Sequence, residues 1–214
     1  MKTTNKNTVQ NDLTEIVFIL DRSGSMAGYE EDTVGGFNAA MAEQRGKEGK
    51  VLVSTLLFDN ETEVLHDRLP LEQIPTMTRR DYRVGGCTAL LDAIGGAIHH
   101  IGNVHKYARP EDVPCSTLFL ITTDGQENAS HRYDSATVKK MIERQREKYG
   151  WEFIFLAANI DAVETARSMG IREDRAQSFV QDAEGVRANY EMMCEAITTV
   201  RCRKSLDEGT WRKN

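Results

Sequence analysis

Three stretches of the chain are apolar without interruption: Ile16–Leu20, Leu118–Ile121 and Phe153–Ala157. Runs of this kind suit strands covered on both faces, the condition of a parallel sheet held between helical layers. Elsewhere the apolar spacing is that of helices. Leu90, Leu91, Ile94, Ile98 and Ile101 place a stripe on one helix. Val138, Met141, Ile142 and Tyr149 mark a second, with Lys139, Lys140, Arg144, Arg146 and Lys148 on its wet side. Val186, Tyr190, Met193, Ile197 and Val200 step by four and three, which predicts a long C-terminal helix. Its last turns, with Arg201, Arg203 and Lys204, complement the negative end of the helix dipole.

Val51–Phe58 and Thr62–Leu69 read as strands joined by Asp59-Asn60-Glu61, a connection of hairpin length. One antiparallel strand is therefore expected, at a sheet edge. The order strand, helix, hairpin, helix, strand, helix, strand, helix predicts an α/β fold. It is a three-layer α/β/α sandwich, Rossmann-like, with a mostly parallel central sheet. Leu69 to Val84, with Pro70 and Pro75, reads as a connection over the surface. Residues 13–204 form the expected single domain, after a disordered lead over 1–12 and before a flexible tail over 205–214.

Composition narrows the partners. The formal net charge is −6, and no basic cluster offers a surface to nucleic acid or an anionic membrane. No apolar stretch has the length of a membrane span, and the expected location is the cytoplasm. Cys87, Cys115, Cys194 and Cys202 show no CxxC spacing and fit reduced thiols. His66, His99, His100, His105 and His131 form no HExxH motif and no i, i+4 pair. They read as solvated helix and loop side chains rather than a zinc site.

Chemistry is concentrated just past the strand ends. Asp21-Arg22-Ser23-Gly24-Ser25-Met26 follows the first apolar run with a carboxylate and two hydroxyls at every second position. Such hard oxygens select magnesium, manganese or calcium over softer metals. In open parallel sheets ligands bind outside the carboxyl ends of the strands. Two further segments bring oxygens there: Thr122-Thr123-Asp124-Gly125, and the loop from Gly85 through Thr88 to Asp92. Turn or helix capping by Asp21, Ser23 or Thr88 accounts for any one segment. It does not account for three together.

An EF-hand loop is excluded, because Met26 stands where that loop needs Gly and a strand precedes it. No Walker A motif, Gly-x-Gly-x-x-Gly fingerprint or Gly-x-Ser-x-Gly elbow occurs. The best enzymatic alternative is a metal-dependent hydrolase acting on phosphoesters, resembling the haloacid dehalogenase phosphatases. Their Asp-x-Asp has Ser23 in place of its second acid here, and a serine cannot serve as general acid at neutral pH.

Taken together, the three segments resemble the von Willebrand factor A domain and its metal-ion-dependent adhesion site. The family pattern Asp-x-Ser-x-Ser, distant Thr, distant Asp is matched by Asp21, Ser23, Ser25, Thr88 and Asp124. The resemblance runs from Leu13 to Lys204 and includes the order of elements. It implies a bacterial or phage-type stand-alone domain, a binding module rather than an enzyme. Its metal would be Mg2+, with Mn2+ or Ca2+ as substitutes. The resemblance further implies that Ser23, Ser25 and Thr88 present hydroxyls while Asp21 and Asp124 ligate directly or through water. A Glu or Asp of a protein partner then completes the shell. Gly24 is expected to sharpen the turn and Gly125 to leave room beside Asp124. Arg22, Tyr29 and Glu127 stand where a partner contact is conceivable, and read more simply as solvated or supporting residues. Bacterial relatives often work beside ATPases, so the resemblance also points toward an ATPase-associated complex. In relatives the last helix can shift with the metal site, so Val186 to Val200 is the expected transmitting element.

Overall fold

In a computed structural model of the chain, residues 12–202, Leu206 and Trp211 are described. Six strands form one sheet in the order β3-β2-β1-β4-β5-β6. They are β1 (Thr14–Asp21), β2 (Val51–Phe58), β3 (Thr62–Pro70), β4 (Ser116–Thr123), β5 (Glu152–Ala157) and β6 (Ala176–Ser178). Every neighbouring pair is parallel except β2 and β3, so the antiparallel strand lies at an edge. The helices are α1 (Glu30–Arg45), α2 (Leu90–Tyr107), α3 (Ser135–Tyr149), α4 (Ala162–Ser168) and α5 (Ala183–Arg201). Among the described residues, no helix is long and apolar enough to cross a membrane.

The unbroken apolar runs arise because both faces of the central strands are covered. In β1 all eight residues are buried. Ile16, Phe18 and Leu20 enter a core with α1 and α5, while Val17 and Ile19 enter a second core with α2, α3 and α4. The edge strand β3 has one covered face and reads mostly exposed or half-buried, with register shifts against β2. Helical layers on both sides of a mostly parallel sheet make the three-layer sandwich.

The chain departs from expectation in several places. Between β5 and α5 lie a further short helix and a sixth strand, α4 and β6, of seven and three residues. Elements this short leave no readable periodicity. The connection after β3 sends Leu71, Ile74, Met77 and Tyr82 into the core, and Asn38 of α1 pins it through the backbone of Met77. Two histidines are not solvated. His66 is buried against Phe37 and bonded to Thr55, and His105 meets the buried carboxylate of Glu15. Tyr149, expected on the apolar stripe of α3, is instead exposed.

α1 packs against α5 through a close approach at Gly36, where a Cβ would fall 2.3 Å from the Tyr190 ring. Leu206 and Trp211 are buried in the same core. Arg203 and Lys204 of the expected last helix, the rest of the expected tail over 205–214, and residues 1–11 of the expected lead lie outside the described residues.

The strand order fixes where a ligand can approach. From β1 the chain passes through α1 to β2 on one side, and the later strands β4 to β6 build outward on the other. The order therefore reverses between β1 and β4. Their carboxyl ends, Asp21 and Thr123, flank a crevice of the kind where open α/β sheets bind ligands.

Candidate metal centre

Asp21 closes β1 and is 1% exposed. Its Oδ1 accepts the Ser23 backbone N–H at 2.7 Å, and its Oδ2 accepts the Thr123 hydroxyl at 2.5 Å. The first bond is the turn role expected of an Asp here, and it leaves Asp21 oriented toward the crevice. A single 3-10 turn over Gly24–Met26 then folds the chain back. It brings Ser25 Oγ to 3.1 Å from Ser23 Oγ, and Ser25 donates to Asp124 Oδ1 at 2.6 Å. Gly24 N–H bonds the Gly86 carbonyl at 3.1 Å, which ties this turn to the loop bearing Thr88.

Thr88 is buried and belongs to the same cluster. A Cβ built on Gly125 would stand 3.3 Å from Thr88 Oγ1 and 3.6 Å from Ser25 Oγ, so both hydroxyls crowd one small volume beside Asp124. All five residues expected in the site are thus brought together from three chain segments.

Thr88 is not the cap of α2. The cap position is Ala89, which has no side-chain acceptor. The first-turn N–H groups are taken from across the crevice instead. Leu91 N–H bonds Glu127 at 2.8 Å and Asp92 N–H bonds Ser130 at 3.0 Å. Asn128 accepts Thr88 N–H at 2.9 Å and returns its own N–H to the Thr88 carbonyl at 3.0 Å. Glu127, also bonded to Ala129 and Ser130, is therefore a helix cap and loop clasp rather than a solvated side chain. Arg22 is occupied as well, paired with Asp59 and Glu63. Tyr29 donates to the Gln181 carbonyl at 2.7 Å.

Gln181 is the site residue that the sequence pattern did not disclose. Its amide donates to Asp124 Oδ2 and, at 3.0 Å, to the Ser25 carbonyl, while Asn159 donates to its Oε1. It sits immediately before Asp182, the cap of α5, so that helix begins against the cluster. Tyr82 adds a buried contact from below, donating its hydroxyl to the Asp21 carbonyl.

The electrostatics are those of a site short of positive charge. Burial pushes the Asp21 carboxyl above its usual range, against the pull of the Thr123 and Ser23 bonds, and the nearby Asp124 pushes the same way. Burial likewise raises Asp124, opposed by Ser25 and Gln181. Among the described residues, the hydrogen bonds to the two carboxylates come from neutral hydroxyls and amides. Among the described residues, no three His, Cys, Asp or Glu side chains gather as a metal-holding group. The cluster has two carboxylates and three hydroxyls, all hard oxygens, and that donor set fits a hard divalent cation.

No protein-family model matches the chain, and no curated protein matches it in sequence. Solved structures do share its fold. A mutant of the PilB minor pilin from Streptococcus sanguinis superposes with a TM-score of 0.58 at 11% identity, over 87% of this chain and 62% of that one. Proximal thread matrix protein 1 from the mussel byssus gives 0.56 at 12% identity, over 90% and 47%. A von Willebrand factor type A protein from Catenulispora acidiphila gives 0.55 at 12% identity, over 86% and 42%. The chain thus spans between about two fifths and three fifths of the length of these neighbours. At this identity the likeness is one of fold: the architecture is von Willebrand factor A-like.

Proposed function

We propose that this chain is a divalent-cation-dependent protein-binding module. Asp21, Ser23, Ser25, Thr88 and Asp124 would hold Mg2+, or Mn2+ or Ca2+ in its place, and capture an acidic residue of a partner. The observation that carries the reading is the convergence of these five oxygen-bearing side chains at the switch point between β1 and β4. The bound cation would supply a Lewis-acidic centre with only two carboxylates to neutralise it, leaving affinity for a third from outside.

The chain's own residues prepare that arrangement. Thr123 and the Ser23 N–H orient Asp21, and Gln181 orients Asp124, the kind of outer support that holds metal ligands in place. Glu127 and Ser130 cap α2, so the Thr88 hydroxyl is not drawn into that role. Catalysis of the haloacid dehalogenase type would need an acid where Ser23 stands, and Ser23 is bonded to another hydroxyl, Ser25.

The test is calorimetric titration with Mg2+, followed by capture of partners in Mg2+ or in chelator. One saturable site is expected in the intact protein and none in Thr88→Ala or Asp21→Ala. A partner retained only with Mg2+, and released when its own contacting Glu or Asp is amidated, supports the capture step. Absence of a saturable Mg2+ site sinks the metal reading. Turnover of a generic phosphoester with Mg2+ or Mn2+, abolished by Asp21→Ala, would establish the hydrolase instead.

A further inference from the structure

At the opposite end of the sheet, where β4 and β5 begin, a cavity of about 560 Å3 opens between the last turns of α2 and α3. It shares no residue with the proposed metal centre. Trp151, itself only 3% exposed, lines its inner end and is stacked on Phe119 with ring centroids 5.3 Å apart and 19° between planes. His105 meets the same indole edge-on, also at 5.3 Å. Ile98, Met141 and Pro114 continue the apolar wall.

The rim has a different character. His99, Lys106 and Arg144 stand around the opening and are exposed. None of the fifteen lining residues is Asp or Glu, in a chain that carries 33 acidic residues against 27 basic ones. Glu15, which bonds the lining residue His105, is fully buried and is also paired with Arg68. An apolar, aromatic-lined cavity with a cationic, acid-free rim is complementary to a ligand with an apolar ring at one end and a negative charge at the other.

Gly102 of α2 lines the slot. A Cβ there would make ordinary contacts, 3.9 Å from Trp151 Cη2 and 3.4 Å from Gln145 Nε2, so a longer side chain would compete for space beside the indole. We propose that this cavity is a second binding site, for a small aromatic carboxylate. The ring lies on Trp151 beside Met141, whose polarisable thioether suits aromatic contact. The carboxylate meets the guanidinium of Arg144, whose planar fork matches its two oxygens, with Lys106 as a second cation. The cavity has the size of a small-molecule site, and the proposal is independent of what the metal centre does.

The chain contains two tryptophans, so heteronuclear NMR gives one indole signal from a residue lining the cavity, Trp151, and one from a residue away from it, Trp211. Trp211→Phe assigns them. Titration of the full chain with 1-naphthoate is expected to move the Trp151 resonance saturably and leave that of Trp211 in place. Binding should exceed that of 1-naphthylmethanol and 1-naphthylmethylamine by about tenfold or more. Arg144→Gln with Lys106→Gln, both at exposed positions, should weaken naphthoate by a similar factor without affecting folding. Gly102→Leu should abolish it, and Asp21→Ala should leave it unchanged. Equal binding of the three naphthalenes, an unaltered affinity in the Arg144, Lys106 double variant, or no saturable shift of Trp151 would each overturn the proposal.

Discussion

Strand β1 carries a buried acid at each end, and the two are treated in opposite ways. Glu15, near its start, has no exposed surface and receives the guanidinium of Arg68 and the imidazole of His105, the latter at 2.5 Å. Asp21, at its end, is equally buried but receives only a backbone N–H and a hydroxyl, and it lies beside a second carboxylate. A buried carboxylate is costly unless a positive charge compensates it. At Glu15 the protein supplies that charge itself, and the cluster is complete as a structural ion pair. At Asp21 no side chain among the described residues supplies it, which is the arrangement expected of a site that takes its cation from solution.

The largest effect should come from breaking the complete cluster. Arg68→Leu leaves the buried Glu15 carboxylate with the His105 imidazole alone and should cost about 3 kcal/mol. In a chain of this size that lowers the melting temperature by roughly 6–12 °C. The loss should be the same in Mg2+ and in chelator, because Glu15 has no part in the proposed metal centre. Replacing Glu15 and Arg68 together by Met should restore most of the stability, since no lone charge is left behind. A double variant as unstable as Arg68→Leu would show that packing, not charge, is what the cluster contributes.

Asp124→Asn should behave in the opposite sense at the other end. In chelator it removes one of two crowded, buried negative charges and should raise stability by about 1 kcal/mol. With Mg2+ at a hundred times its dissociation constant, the unaltered chain gains about 2.7 kcal/mol, and the variant should gain none of it. Thermal melts of the two proteins should therefore exchange order when Mg2+ is added. If Asp124→Asn is destabilised equally in both conditions, Asp124 is a structural carboxylate like Glu15, and the contrast between the two ends fails.

Gln181 refines the same contrast, because it touches Asp124 with a neutral amide where Glu15 has a guanidinium. In the proposed site it would act on the metal through Asp124. Gln181→Ala should weaken Mg2+ binding about tenfold, or about 1.4 kcal/mol, by calorimetry. Its melting temperature in chelator should barely change, since Gln181 is only partly buried. A large loss in chelator with unchanged Mg2+ affinity would make it a fastener for the start of α5 and nothing more.

What could be read in advance follows from how each feature is encoded. The central strands were plain because burial on both faces leaves no polar position in Val17, Phe18 or Ile19. α2 and α5 were plain because one long stripe, such as Tyr190, Met193 and Ile197, meets the sheet over several turns. The five candidate residues could be singled out because each stands next to a strand end or helix start that the pattern already located. α1 had a place in the order but no boundaries. Its Gly35-Gly36 pair looks like a break, and only the Tyr190 ring against Gly36 explains it. Gln181 was hidden because a loop glutamine has no signature; it becomes significant only when β6 carries the chain back beside Asp124. Glu127 had a faint signal: Ala89, at the start of α2, cannot cap the helix, so the acceptor must come from elsewhere.

Asp92 supplies the control for the argument about Asp21. Burial pushes its carboxyl upward, yet the N–H groups of His131, Arg132 and Tyr133 outweigh burial and hold it below the usual carboxylate range. These three bonds, at 2.8–2.9 Å, anchor the loop after β4 to the first turn of α2. Backbone N–H donors, helped by the charge of Arg132, thus hold down a carboxylate near the surface, whereas at Asp21 neutral donors alone do not overcome burial. The folded value lies below the unfolded one, so the stabilisation from Asp92 is fully present above about pH 3.9 and is lost as pH falls through the folded value. Urea denaturation between about pH 5 and pH 3 should therefore show a fall in stability that is shallower in Asp92→Asn. This is the smallest of the four effects, because the group is partly solvated. Should the slope be the same in both proteins, backbone N–H groups do not stabilise the Asp92 charge. The inference that Asp21 and Asp124 are distinguished by burial rather than by donor type would then lose its reference point.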